Sequence, residues 1–247
     1  MFDRFKIAAL TTVLFLGTAE THSAEVVSSE APLIDFRSRF VPMAASGNMV
    51  VGPERFASEA GLTMLNQGGN AIDAAVATGF ALAVSYPQAG NIGGGGFMLI
   101  FVEDTGESRA LDFRETCPTR VGPEFYASLP PSASGYDPSL YGGRAVAIPG
   151  QLPGMIAAHD AFGTLPLEVI VAPAVRAARA GFAVDANYLS AVERVRSLRK
   201  SHPDLRPTSR WIWDRLCQRG VIEVGDIIRQ PELAEYLERF GREGIAA

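Results

Sequence analysis

The stretch from Ala71 to Ser85 is apolar on nearly every side and carries one charge, Asp73. A helix with no polar face has to be covered from several directions, so this chain must build layers around it. Asn70 is a good cap for its first turn, Pro87 cannot continue it, and its many alanines let neighbouring elements come close. Ahead of it, Phe56, Ala60, Met64 and Leu65 form the apolar stripe of a shorter helix. That helix is expected to open at Gly52-Pro53, with Pro53 in the first helical position, and to close at Gly68-Gly69. A short strand from Ser46 to Val51 is expected before it.

After Pro87 come Gly90 to Gly96 and then the run Phe97 to Val102, which reads as a strand buried on both faces. Asp104-Thr105-Gly106 turns the chain, and Ser108 to Arg114 returns as its partner. Residues 115–143 are rich in Pro, Gly and Ser and read as a long loop. A strand at Ala145 to Ile148 is expected to stop at Pro149-Gly150. Beyond it the pattern is helical, with Pro173 opening a helix over Ala174 to Ala180, a second over Ala186 to Lys200, and a third from Pro231 to about Arg239. Helices, then strands, then helices predict an α+β or layered α/β fold rather than a doubly wound sheet. No internal repeat is present.

Composition sets the remaining bounds. The chain has 247 residues, 47% of them apolar, enough for one large domain or two small ones. Asp and Glu number 27 against 22 Lys and Arg, a net charge of -5, which gives no electrostatic reason to expect nucleic acid or an anionic membrane as partner. The first residues differ from the rest: Arg4 and Lys6 precede an apolar run from Ile7 to Gly17, and His22-Ser23-Ala24 ends in small residues. This is the three-part pattern of a secretory signal over residues 1–24, its apolar run shorter than the roughly 20 residues a permanent span needs. Export to the periplasm or the medium is the expectation, with a polar linker over residues 25–40 and the remaining residues, 41–247, as one portion. Cys117 and Cys217 would then meet an oxidising compartment, although the sequence leaves open whether they pair. Neither has metal-ligand spacing around it.

Few residues stand out as carriers of chemistry. The glycines from Gly93 to Gly96 bare the backbone, so its N–H groups can approach a ligand or another strand. A phosphate cradle wants a following helix and a lysine, both missing here, and an oxyanion hole beside a serine elbow wants Gly-x-Ser-x-Gly, also missing. Close backbone packing at the start of a strand is the simpler reading. Arg114 closes the second hairpin strand; a guanidinium there can hold a carboxylate through two parallel bonds, but spacing alone favours a surface ion pair with Asp112 or Glu115. His159 and His202 lack the neighbours of a ligand set and are expected to face solvent. Trp211 and Trp213, two apart, are expected on one side of an extended segment.

Taken together, several blocks resemble one family. Asn66 to Ala77, Tyr86 to Met98, Asp112-Phe113-Arg114-Glu115-Thr116 and Ala147-Ile148-Pro149-Gly150 are similar, in order, to the opening blocks of the γ-glutamyltransferases. Phe162 to Pro166, Ala178 to Phe182 and Gln230 to Ala234 continue the likeness, which runs from about Met43 to the last residues. The resemblance implies the α+β fold of an amino-terminal-nucleophile hydrolase, a four-layer αββα sandwich, here as a partial, amino-terminal large-subunit portion. It implies a precursor that cleaves itself, a small subunit whose new amino-terminal threonine attacks glutathione or another γ-glutamyl compound, and transfer to water, amino acids or peptides. No metal or organic cofactor is implied. Arg114 matches the arginine that binds the substrate α-carboxylate, and Glu115 its supporting acidic neighbour.

The departures are as informative. The threonine-rich processing motif and the small-subunit serines and acids have no counterpart, so no catalytic nucleophile is assigned and the chain by itself is expected to be inactive. Cys117 stands where the family usually has alanine, and Gln151 follows Pro149-Gly150 where threonine is usual. The sequence stops inside a family helix, which suggests a truncated product. Two other readings are kept: a non-catalytic scaffold or binding fragment, and a relative of the β-lactam acylase type.

Overall fold

In a computed structural model of the chain, residues 44–246 are described; the expected signal and linker, residues 1–40, lie outside them. The first helix, α1 (Arg55–Asn66), opens shortly after Pro53 and not at it. Its cap is the Glu54 carboxylate, which accepts from the N–H groups of Phe56 and Ala57 at 2.8 and 2.9 Å. A carboxylate at this end satisfies two unpaired donors and meets the positive end of the helix dipole. The expected strand over 46–51 does not form among the described residues, where these residues have no ladder partner, and Val51 is exposed.

Helix α2 (Ala71–Ser85) forms where its pattern requires, capped by Asn70 and Asp73 in a reciprocal capping box. It is covered as expected. It packs on α1, on α3 (Gln151–Phe162) and on α4 (Leu167–Ala180), and α4 packs in turn on α6 (Pro231–Glu243). Phe80 of α2 meets Phe240 of α6 with ring centroids 5.4 Å apart, both fully buried. Polar bonds secure the ends of α2. Ser85 donates to Glu54 at 2.7 Å and Gln230 Nε2 donates to the Val84 carbonyl at 2.9 Å. Helix α4 starts well before Pro173, which lies buried inside it. Burial of the whole apolar face therefore outweighs the backbone bond that a proline forfeits, about 3 kcal/mol.

The hairpin β1 (Phe97–Val102) and β2 (Glu107–Asp112) is antiparallel, Phe97 opposite Asp112 and Val102 opposite Glu107. Its inner residues Met98, Ile100 and Val102 join the core around α2. The expectation of a strand buried on both faces fails here, since Phe97, Leu99 and Phe101 on the outer face are 64%, 84% and 67% exposed. Strand side chains alternate between faces, and among the described residues only one face has a layer against it. The expected strand over 145–148 shrinks to a single bridge between Thr116 and Ile148.

A second, smaller core gathers around β3 (Phe182–Ala183), α5 (Ala186–Ser201) and β4 (Ile227–Ile228), the two strands pairing antiparallel. Trp213 borders it on a single wide helical turn, Ile212–Leu216, which Trp211 immediately precedes, instead of on an extended segment. Their spacing consequently does not place them together: Trp211 is exposed, while Trp213 packs on this core with the Arg199 guanidinium 5.1 Å from its ring. The helices and strands together make a mixed α+β arrangement, as the sequence predicts.

Candidate functional site

Arg114 and Glu115 follow β2 directly, and the backbone around them is clamped from two sides. Gly96 and Phe113 extend the hairpin ladder by one residue, exchanging N–H···O bonds of 3.3 and 3.0 Å. Thr116 and Ile148 then exchange bonds of 3.2 and 2.9 Å. Between these clamps the Arg114 N–H donates to Asp112 Oδ1 at 3.0 Å.

The glycine run explains itself at this point. The Gly94 carbonyl accepts from the N–H groups of Gly150 and Gln151, at 2.9 and 2.8 Å, and so satisfies the first donors of α3, which has no side-chain cap. A Cβ on Gly95 would lie 2.8 Å from the Glu115 nitrogen and 3.0 Å from the Arg114 carbonyl carbon. One on Gly154 would run into the Phe113 ring, 2.7 Å from Cδ1. Gly95 and Gly150 thus let the loop, the end of β2 and the start of α3 pack backbone to backbone, and Gly154 makes room for the Phe113 ring. The simpler of the readings left open by the sequence holds.

The side chains have more freedom. Arg114 is 64% exposed, its guanidinium 5.9 Å from the Phe97 ring centroid and its Nε 3.5 Å from a Glu115 carboxylate that is 31% exposed. These contacts restrain the stem and the Nε edge of the fork. A concavity of about 300 Å³ adjoins the segment, lined by Asp112, Phe113, Gly150 and residues of α3, without Arg114 or Glu115 among its walls. Among the described residues no group of three or more His, Cys, Asp or Glu side chains is placed to hold a metal ion, and no helix is long and apolar enough to cross a membrane.

Asp73 has a larger part than the sequence reading gave it. Fully buried, it accepts from Asn70 N at 2.8 Å, Thr164 N at 2.9 Å, Thr164 Oγ1 at 2.6 Å and Leu165 N at 3.3 Å. Burial pushes its carboxyl up, but the bonds from Thr164, Asn70 and Leu165 outweigh burial and hold it below the usual carboxylate range. It pins the start of α2 to the turn between α3 and α4. An acid three residues after an Asn cap is the signature of a capping box, and that signal was available in the sequence.

The two histidines also differ from expectation. His159 is largely buried, its Nε2 2.8 Å from the Leu165 carbonyl, and His202 is half-buried with Nδ1 3.0 Å from the Ser134 carbonyl. Both hold loops to helices. Ser134 Oγ lies 3.4 Å from His202 Nδ1 but gives its hydroxyl to Asp204, and the same Nδ1 is closer to the Ser134 carbonyl, so the imidazole is not placed to take the hydroxyl proton as a nucleophile's base would. Cys117 and Cys217 are both free thiols, the first exposed and the second buried.

The solved structures on which the chain superposes are gamma-glutamyltranspeptidases and their amino-terminal-nucleophile hydrolase relatives, which defines its fold class. Residues 57–247 match the gamma-glutamyltranspeptidase family, and the chain belongs to it. The glutathione hydrolase proenzyme of Escherichia coli is 36% identical over 205 residues, covering 83% of this chain and 34% of that protein. A gamma-glutamyltranspeptidase from Pseudomonas nitroreducens, solved in complex with L-DON, superposes with a TM-score of 0.68 at 34% identity, covering 81% of this chain and 56% of that one. The Helicobacter pylori gamma-glutamyltranspeptidase gives a TM-score of 0.70 at 32% identity, covering 82% and 56%. The chain spans about a third of the length of the curated relatives it matches.

Proposed function

We propose that this chain supplies the carboxylate-binding part of an exported γ-glutamyltransferase, or glutathione hydrolase. The observation that carries the reading is the placement of Arg114. Its backbone is clamped between two pairs of ladder bonds, and its guanidinium is open to solvent beside a single carboxylate at 3.5 Å. A guanidinium of this kind pairs with a carboxylate through two parallel bonds and fixes its orientation. In this reading Arg114 holds the α-carboxylate of a γ-glutamyl compound such as glutathione, and Glu115 keeps the guanidinium aligned.

The attacking group belongs to a threonine-led small subunit of the same precursor. Its hydroxyl adds to the γ-amide carbon, its own amine takes the proton, and the amide nitrogen leaves as an amine. Water, an amino acid or a peptide then takes the γ-glutamyl group from the ester. The 247-residue chain alone contributes binding without a nucleophile, so it gives no turnover of γ-glutamyl-p-nitroanilide. Residues 1–24 are its export signal, and the mature amino terminus is Glu25, which mass spectrometry of the exported protein checks.

The decisive experiment uses a precursor that joins this chain to a threonine-led half. Arg114→Ala lowers kcat/KM for the γ-glutamyl anilide by roughly 100-fold or more, because two charge-assisted bonds are lost at about 1.5–3 kcal/mol each. It leaves hydrolysis of the glutaryl anilide, which has no α-carboxylate, much less affected. An unchanged specificity constant removes Arg114 from the site. A precursor that prefers the glutaryl substrate points to the acylase type of relative instead.

A further inference from the structure

The net charge of -5 conceals an uneven distribution. Residues 194–219, the second half of α5 and the turns after it, hold eight Arg and Lys against two Asp, so the rest of the chain is more acidic than its total indicates. Two carboxylates reach in from outside this stretch, Glu193 to Arg196 and Glu232 to Arg215. Positive charge still prevails after both are counted. The geometry then concentrates it. Arg196, Arg199 and Lys200 stand three and four residues apart on one stripe of α5. Arg199 donates to the Arg206 carbonyl at 2.9 Å, and Arg206 Nε donates back to the Arg199 carbonyl at 3.0 Å. Arg196 Nη2 donates to the Gly220 carbonyl at 2.6 Å, next to Arg219.

Arg199 also donates to Ser209 Oγ and lies over the Trp213 ring. Carbonyls, a hydroxyl and an indole face thus draw the cations together without cancelling their charge. Like charges gathered in this way repel one another, and an anionic surface laid against them relieves the repulsion. Two apolar side chains narrow the kind of surface. Trp211 and Ile212 follow Arg210 and are 56% and 44% exposed. Arg210 and Arg219 flank Asp214 beside them, at 3.5 and 3.1 Å. A phosphodiester chain would use the cations but gains nothing from an exposed isoleucine. The headgroup layer of an anionic bilayer takes both, since Lys and Arg meet lipid phosphates while an indole and its aliphatic neighbour settle at the edge of the acyl chains.

We propose that residues 194–219 form a cationic face that docks this chain reversibly on an anionic lipid bilayer, a partner that the overall charge gives no reason to expect. Trp211 and Ile212 enter the headgroup region, and the surrounding Arg and Lys side chains contact lipid phosphates. The face lies outside the Arg114 segment, and its use does not depend on the γ-glutamyl reading.

Indole emission tests it, because Trp211 and Trp213 are the only tryptophans of the chain and Trp213 already packs on the second core. A local readout is required, since the apolar residues 7–17 can bind lipid by themselves. The full chain is titrated with vesicles of phosphatidylglycerol in phosphatidylcholine, with vesicles of phosphatidylcholine alone, and with a short DNA duplex. The mixed vesicles are expected to shift the emission to the blue, and the shift disappears at high salt and in Trp211→Phe. Lys200→Gln combined with Arg210→Gln weakens the binding roughly 25-fold, at about 5-fold for each charge. Arg55→Gln combined with Arg242→Gln, which removes the same charge elsewhere, changes it by less than about 2-fold. Should the Lys200 and Arg210 double variant melt well below wild type, Lys200→Gln alone decides, at about 5-fold. An equal shift on phosphatidylcholine alone, a shift that persists in Trp211→Phe, unchanged binding in the Lys200 and Arg210 variants, or a shift given by the duplex and not by the mixed vesicles overturns the proposal.

Discussion

Replacing Gly150 with alanine tests how closely the site is built. Gly150 has φ -108° and ψ -13°, a conformation open to any residue, so its missing side chain answers to proximity and not to backbone strain. An added Cβ would overlap the Phe113 carbonyl oxygen, and would lie 2.8 Å from its carbonyl carbon and 3.1 Å from the Arg114 oxygen. Those neighbours are backbone and cannot rotate away. Forcing extra atoms into packed surroundings costs roughly 1–3 kcal/mol. Moving α3 aside also stretches the two bonds from Gly150 and Gln151 to the Gly94 carbonyl, each worth about 1 kcal/mol. The sum is roughly 3–5 kcal/mol. At about 2–4 °C per kcal/mol for a chain of this size, the melting temperature falls by roughly 6–20 °C. Gly122→Ala is the control, since a Cβ there meets nothing within 4 Å; it should leave stability within about 0.5 kcal/mol. Circular dichroism at 222 nm follows both melts. If Gly150→Ala melts within 2 °C of the control (an estimate of assay scatter, about half a kcal/mol), the close-packing argument for this segment is wrong.

Asp73→Asn keeps the shape of the buried hub but weakens its bonds to Asn70, Thr164 and Leu165, for an expected loss of about 2–4 kcal/mol at neutral pH. The folded carboxyl titrates below the ordinary aspartate value of about 3.9. Its contribution is therefore complete above that value and fades as pH falls through the folded one; urea unfolding should show the gap between variant and wild type closing below about pH 4. A gap of the same size at pH 7 and pH 3 would contradict this. Iodoacetamide at pH 8 should add once, at exposed Cys117. Burial pushes the Cys217 thiol up to about 11, only partly offset by Arg199 and Arg196, which leaves about one thiolate in a thousand. Two additions at similar rates, read by mass spectrometry, would argue against that burial. Leu99→Ser on the outer face of β1 should change stability by less than about 0.5 kcal/mol, whereas Ile100→Ser on the buried inner face should cost several kcal/mol. Equal losses from the two would mean the faces are assigned the wrong way round.

The sequence was most legible where a local rule and the tertiary environment agreed. Ala71–Ser85 is capped by Asn70 and buried all round, and both follow from its pattern. It was least legible where partners far along the chain decide. The run Phe97–Val102 has the composition of a strand covered on both sides, yet coverage depends on what lies against Leu99, which composition does not encode. Pro173 announces a helix start, but α4 begins earlier because Ile170 and Val171 bury against other helices. His159 and His202 looked like solvent-facing residues because their partners, the carbonyls of Leu165 and Ser134, are backbone atoms that no side-chain motif records.

Arg114 shows the same division in sharper form. Spacing favours an ion pair with a neighbour, and such a pair exists, with Glu115 at 3.5 Å. That finding does not compete with a role in binding. An exposed pair at this separation contributes between zero and about 1 kcal/mol, while a bidentate carboxylate gains two charge-assisted bonds. A substrate carboxylate can therefore take the terminal nitrogens without displacing Glu115 from Nε. Unlike the paired arginines of the helices and of β2, Arg114 lies outside any helix or strand, and its backbone is held instead by the Gly96–Phe113 and Thr116–Ile148 bonds and by the glycines that let α3 approach. Rigid main chain beneath a weakly held side chain is the combination that binding requires, and only the glycine run hinted at it in the sequence.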